Sequence, residues 1–175
     1  MGHVGGPDFE GWYVSEHPRL LSSMTVAAGD VDLAAEVVDE AFARAFERWS
    51  RVGRMESPAG WTYVTALNAL RRRARRRSIE ERLHLRSRRV DSDAPADWSI
   101  EVWDALAQLP SRERTAMALR YVADMTTDQI ADAMGIAPGT VGSTLHAARR
   151  NLAAALGDES ADVIEPFDLE EVPDA

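Results

Sequence analysis

The chain has 175 residues, 45% of them hydrophobic, 28% charged and 7% aromatic. That is apolar material for one ordinary domain or two small ones, and it excludes a chain disordered throughout. There is no cysteine, which excludes disulfide scaffolds, thiol nucleophiles and thiolate zinc sites, and the net charge of −9 is unevenly distributed along the chain.

Residues 1–18 hold no apolar stretch and carry Asp8, Glu10 and Glu16, unlike a secretory signal. No apolar run approaches the length of a membrane helix, so a cytoplasmic protein without membrane insertion is expected. Helical spacing recurs along the chain and strand-like alternation does not. A first helix is expected over about residues 8–24, where Phe9, Trp12, Tyr13 and Leu20 can pack. A second has Asp30 or Asp32 as its cap and a broad apolar face of Ala34, Val37, Val38, Ala41, Phe42, Ala45, Phe46 and Trp49. Phe42, Phe46 and Trp49 are expected in the core. A third begins at Ser57-Pro58, turns Trp61, Val64 and Leu67 or Asn68 inward, and runs into an arginine strip. Trp61 reads as core rather than as a stacking platform. The first block thus covers residues 8–89.

Residues 90–98 (VDSDAPADW) read as an acidic linker. The second block, residues 99–157, opens with a helix marked by Ile100, Trp103, Leu106 and Ala107 that stops at Leu109-Pro110. Ser111 is available to cap the next, which carries Ala116, Leu119, Arg120 and Val122. Thr126 with Gln129 fits a capping box, and Gly135 a left-handed C-cap. The last helix starts at Pro138, shows Val141, Leu145, Ala148, Leu152 and Leu156 on one face, and is closed by Gly157. The expected fold is all-α: two small helical domains joined by an acidic linker, followed by an acidic tail at 158–175.

Two features carry chemistry. Residues 71–89 hold ten arginines against Glu80 and Glu81, a net of +8, whereas residues 158–175 hold eight acids and no base. All twenty basic residues are arginine, which suits phosphate contacts, although a solvated helix face would look similar. In TDQIADAMGIAPGTVGSTLHAARRNL, residues 127–152, a small residue, a glycine turn and buried branched residues follow in the order a helix-turn-helix needs. It leaves Thr140, Ser143, Thr144, His146, Ala147 and Arg150 toward solvent, with Arg149 close by. An ordinary helical hairpin would share much of this pattern.

Together the two blocks resemble a bacterial RNA polymerase sigma factor of the extracytoplasmic-function (ECF) group, over about residues 8–157. DFEGWYVSEHPRL and DLAAEVVDEAFARAFERW look like the family's second conserved region, and SPAGWTYVTALNALRRRARR like its promoter-melting part. LAQLPSRERTAMALRYVADMTTDQIADAMGIAPGTVGSTLHAARRNL is similar to the fourth region. The resemblance implies binding to core RNA polymerase through Asp39, Glu40 and Arg44. It implies contact with the start-proximal promoter element through Asn68, Arg71, Arg72, Arg73, Arg75 and Arg76. The last helix would enter the major groove of an upstream element, offering Thr140, Ser143, Thr144, His146, Ala147, Arg149 and Arg150. It further implies promoter DNA as ligand, an anti-sigma factor as partner, a monomer when free, and a linker that threads the polymerase's nucleic-acid channel or simply tethers. No cofactor, metal or catalytic residue is implied, because the polymerase performs the chemistry.

The chain departs from the family at Gly142, Thr144 and Ala147, where basic side chains are frequent, and at Ala137, where a serine cap is frequent. The alternatives are a stand-alone helix-turn-helix regulator and an RNA-binding adaptor using the arginine strip. An enzyme fits least: His3, His17, His84 and His146 are dispersed, and neither a phosphate-binding glycine loop nor a nucleophile motif is present.

Overall fold

The computed structural model of the chain describes residues 8–81 and 100–157, and side chains within 8–76 and 101–157. The expected linker, the tail, His3, His84 and the arginines of the strip from Arg77 to Arg89 lie outside those side chains. Every described regular element is helical.

Local chemistry sets most helix ends. Helix α1 (Phe9–Ala28) starts where the Asp8 carboxylate accepts the N–H groups of Glu10 and Gly11, each at 3.1 Å. It passes through exposed Pro18 and runs four residues beyond the expected end, because Thr25, Val26 and Ala27 are buried in the core. Gly29, at φ 65°, then closes it. Helix α2 (Val31–Glu47) is capped by Asp30, which accepts from Leu33 N–H at 2.9 Å, while Asp32 sits in the first turn. Its apolar face is buried from Leu33 to Ala45. A short α3 (Trp49–Val52) follows.

Helix α4 (Pro58–Glu81) begins where Ser57 Oγ accepts the Gly60 N–H at 3.0 Å. It turns Tyr63, Ala66, Leu67, Ala69 and Leu70 inward, so Trp61 and Val64 are only half-buried and Asn68 is exposed. Burial raises the Tyr63 pKa above its usual 10.0, against a weak 3.4 Å hydrogen bond to Ser23 that lowers it.

In the second half, α5 (Ile100–Gln108) leads to α6 (Ser111–Met117). Ser111 is not a cap: Pro110 holds that position, and Ser111 is the first helical residue, its carbonyl accepting from the Thr115 hydroxyl at 2.7 Å. The helix continues as a π-helical turn over Ala118–Val122, in which Ala123 N–H reaches Ala118 O at 3.1 Å. Asp124 then takes a left-handed φ of 54°, and Arg120 donates to Met125 O at 3.1 Å. Helices α7 (Thr127–Met134) and α8 (Pro138–Leu156) complete the chain.

The two halves are not held apart. Buried residues from both form one continuous apolar cluster, with α1 against α6 and its π turn, and α4 against α7. Three arginines bridge the seam, each to backbone carbonyls. Arg114 donates to Ala27 O at 3.2 Å and Ala28 O at 3.3 Å, Arg71 to Met134 O at 3.0 Å, and Arg19 to Ala123 O at 3.4 Å. The carbonyls of Ala27, Ala28 and Met134 lie in the last turns of α1 and α7, where helices leave acceptors unpaired and a cation is favoured.

Candidate functional site

The helix-turn-helix is built as its sequence dictates. Thr126 Oγ1 accepts from Gln129 N–H at 3.3 Å, and the Gln129 side chain accepts from Thr126 N–H at 2.9 Å, so the capping box is complete. Gly135, at φ 66°, ends α7 and turns the chain into α8, whose first residue is Pro138 and whose cap position, Ala137, makes no side-chain hydrogen bond. Val141, Leu145, Ala148 and Leu152 are buried, and Asn151 fixes α8 to α6 by donating to Glu113 Oε2 at 2.8 Å.

This orientation leaves Ser143, His146 and Arg150 exposed on one face of α8, with Thr140, Ala147 and Arg149 half-buried beside them. Thr144 is a correction. It is 8% exposed, and its hydroxyl donates to Thr140 O at 2.7 Å, so it belongs to the buried side of the helix and is not available to DNA. Gly142 is exposed, so the bare spot left by the missing basic side chain lies on the open face.

The arginine strip divides into three groups. Arg75 and Arg76 are exposed. Arg71 spans the seam to Met134 O and also donates to Asn68 Oδ1 at 3.3 Å. Burial, reinforced by Arg75, lowers its pKa from the ordinary guanidinium value, though the group stays charged at neutral pH. Arg72 and Arg73 are bound to α2. Glu40 Oε1 meets Arg72 Nη2 and Arg44 Nη2, both at 2.7 Å, Glu40 Oε2 accepts from Arg73 Nη1, and Arg73 Nε lies 3.2 Å from Glu36 Oε2. Partial desolvation pushes the Glu40 carboxyl up. The Arg73 hydrogen bond and the charges of Arg44, Arg73 and Arg72 outweigh it and hold the group below its ordinary 4.5. Glu40 and Arg44, expected as polymerase contacts, therefore share one ionic cluster with two expected DNA contacts, while Asp39 is exposed.

The aromatic residues also sort differently from expectation. Phe42 is buried, Trp49 is half-buried between Phe9 and Trp12, and Phe46 is 65% exposed, touching Phe9 edge-on at 5.0 Å. Ala45 in the same turn and Val52 beyond it are buried, so Phe46 lies at the lateral edge of the apolar stripe and faces outward. Sequence reasoning missed Glu36, Glu113, Arg114 and Asn151, since a single charged or amide side chain on a helix carries no local mark of its distant partner. Among the described residues no group of three or more His, Asp and Glu could hold a metal ion, and no helix is long and apolar enough to cross a membrane.

Comparison with known proteins bears on both halves. The sigma-70 region 4 family model matches residues 99–152, which include the whole helix-turn-helix. The ECF RNA polymerase sigma factor SigL of Mycobacterium tuberculosis is 34% identical over 147 residues, covering 78% of this chain and 82% of that one. The RNA polymerase sigma-E factor of Streptomyces avermitilis is 27% identical over 166 residues, covering 93% and 92%. Among solved structures, the sigma factor RpoE of Bartonella quintana, in complex with the anti-sigma factor NepR, shares the fold with a TM-score of 0.76. It is 20% identical and covers 85% of this chain and 96% of that one. With the helix-turn-helix matched by a family model and both halves carried by relatives of nearly equal length, the chain belongs to the ECF group of RNA polymerase sigma factors.

Proposed function

We propose that this sigma factor binds core RNA polymerase, recognises a two-part promoter and supports strand separation at the start-proximal part. The observation that carries the reading is the face of α8: a helix-turn-helix, its first helix closed by a capping box, that leaves Ser143, His146 and Arg150 in one exposed row. Such a row suits base edges and phosphates in a major groove. Arg75 and Arg76 supply phosphate contacts at the start-proximal element at once, whereas Arg72 and Arg73 first have to leave Glu40, and Arg71 has to leave Met134. Capture of an unstacked base costs a few kcal/mol, which the polymerase's contacts help to offset. Asp39 and the α2 face around Glu40 and Arg44 dock the polymerase. An anti-sigma factor holds the free chain, as NepR does for the Bartonella protein.

The test is co-elution of the purified chain with core polymerase lacking its own sigma, followed by promoter-dependent transcription. Arg150→Ala should weaken use of the upstream element, and Arg75→Ala with Arg76→Ala should reduce opening and flatten its salt dependence by about one phosphate contact each. Failure to bind polymerase would overturn the reading. Tight binding of operator duplex without polymerase would favour a stand-alone regulator.

A further inference from the structure

At the seam lies a cavity of about 360 Å³, within the roughly 300–1,000 Å³ range of ligand pockets. Leu33 of α2, Leu70 of α4, and Met134 with Ile136 at the end of α7 form its apolar wall, and Arg71, Arg112 and Arg114 stand around it. No described carboxylate lines it. Arg71 and Arg114 bond carbonyls and an amide oxygen, and among the described residues neither is paired with an acid. Hydrogen bonds to carbonyls orient a guanidinium and leave its charge uncompensated. In both residues burial pulls the pKa below its ordinary value, so a nearby anion would be favourable. The cavity therefore wants an occupant that is apolar in the middle and anionic at the edges.

The same chain carries such a segment in residues 158–175, with eight acids, no base, and Val163, Ile164, Phe167, Leu169 and Val172 among them. Phe167 and Leu169 are two apart, which places both on one face of an extended segment with Asp168 and Glu170 on the other. Pro166 and Pro173 disfavour a helix there. From Gly157 to Phe167 is ten residues, up to roughly 35 Å when extended and comparable with the width of a compact chain of this size.

We propose that the seam cavity is the docking site for this chain's own residues 158–175, with Phe167 and Leu169 in the apolar pocket and flanking carboxylates against Arg71, Arg112 and Arg114. The occupant is thus placed at the seam rather than at Arg72 and Arg73 of α4, which Glu40 and Glu36 already occupy. Because α2 and α4 form one side of the cavity and α6 and α7 the other, docking ties the two halves together. If the promoter reading holds, the docked segment then opposes the separation that reaching two promoter elements requires. The docking itself is tested on the free protein, without polymerase or DNA.

Methyl NMR signals of Leu33, Leu70, Met134 and Ile136 are compared between the full chain, the full-length double variant Phe167→Ser with Leu169→Ser, and a chain ending at Gly157. Both changes should move those signals together. Added to the shortened chain, a peptide of residues 158–175 should restore them saturably, and Arg112→Glu should weaken that peptide at least tenfold. Signals identical in the full chain and the double variant would overturn the proposal. So would a peptide whose shifts fall on α8, or around Arg75 and Arg76. If the shortened chain fails to fold, the full-length double variant decides alone.

Discussion

Replacing Arg114 by methionine keeps most of the side chain's apolar stem and removes its fork. In the structure that fork donates to Ala27 O at 3.2 Å, Ala28 O at 3.3 Å and Ala107 O at 3.2 Å. The first two acceptors belong to the last turn of α1 and are part-buried, so the variant strands two carbonyls that no helical N–H can reach. Each stranded acceptor costs about 1–3 kcal/mol, toward the low end where water can enter, and loss of a cation from a helix C-terminus adds roughly 0.3–1 kcal/mol. The seam should lose about 2–4 kcal/mol, or 30- to several-hundred-fold in the closed-to-open ratio. Dyes on cysteines introduced at Glu56 and Asp128, both exposed and in a chain with no other cysteine, report the separation of the halves. Arg114→Met should lengthen that distance while far-ultraviolet circular dichroism stays constant, and urea unfolding should split into two transitions. Arg114→Lys should behave almost as badly, because its donors radiate from one compact nitrogen and lack the rigid fork that reaches three separated carbonyls. An unchanged distance together with an unchanged urea midpoint would refute the latch.

Four further outcomes follow from particular contacts. Gly135→Ala meets no atom within 4 Å and should cost only the left-handed backbone strain of about 1–2 kcal/mol, read from the thermal midpoint. Gly29→Ala has the same strain, but its Cβ would lie 3.3 Å from Arg114 Cζ, so it should cost more and lengthen the dye distance as well. Thr126→Ala removes the capping box and should destabilise by about 1 kcal/mol in urea. For Glu40, whose folded pKa is depressed, the stabilisation is present above the unfolded value near 4.5 and is lost as pH falls through the folded pKa. Glu40→Gln should therefore flatten the stability profile below pH 4.5, and at neutral pH it should steepen the salt dependence of DNA binding by freeing Arg72 and leaving Arg73 with Glu36 alone.

Features decided within a few residues were legible from the sequence: Asp30, Ser57 with Pro58, the Thr126–Gln129 box, Gly135 and Gly157 stand where local bonding demanded them. Features decided by a partner far along the chain were not. Nothing near Arg114 announces carbonyls 86 and 87 positions away. Nor does anything near Glu40 announce Arg72 and Arg73, 32 and 33 positions on. Thr144 was misplaced because a polar residue was read as exposed, when a β-branched hydroxyl can satisfy itself on the carbonyl four residues back and stay inside. Phe46 differs the other way: at the edge of an apolar stripe a side chain can face solvent while Phe42 and Ala45 beside it are buried. The candidate promoter face on α8 was thus mostly readable, whereas the closing of one half upon the other was a matter of tertiary geometry.

The seam's long sequence separation also sets an order of events during synthesis. Ala28 is made 86 residues before Arg114, an interval of roughly 4–17 s at ordinary rates of translation. From the synthesis of Leu70 onward the nascent first half carries Ala27 and Leu70, which line the seam, with no second half to cover them. Its contacts among α1, α2 and α4 lie within the first half and can form before the second half is made. The newborn chain therefore passes through a stage with an uncovered apolar flank, at which a ribosome-associated chaperone or a co-translationally recruited partner has seconds in which to act before the chain closes on itself.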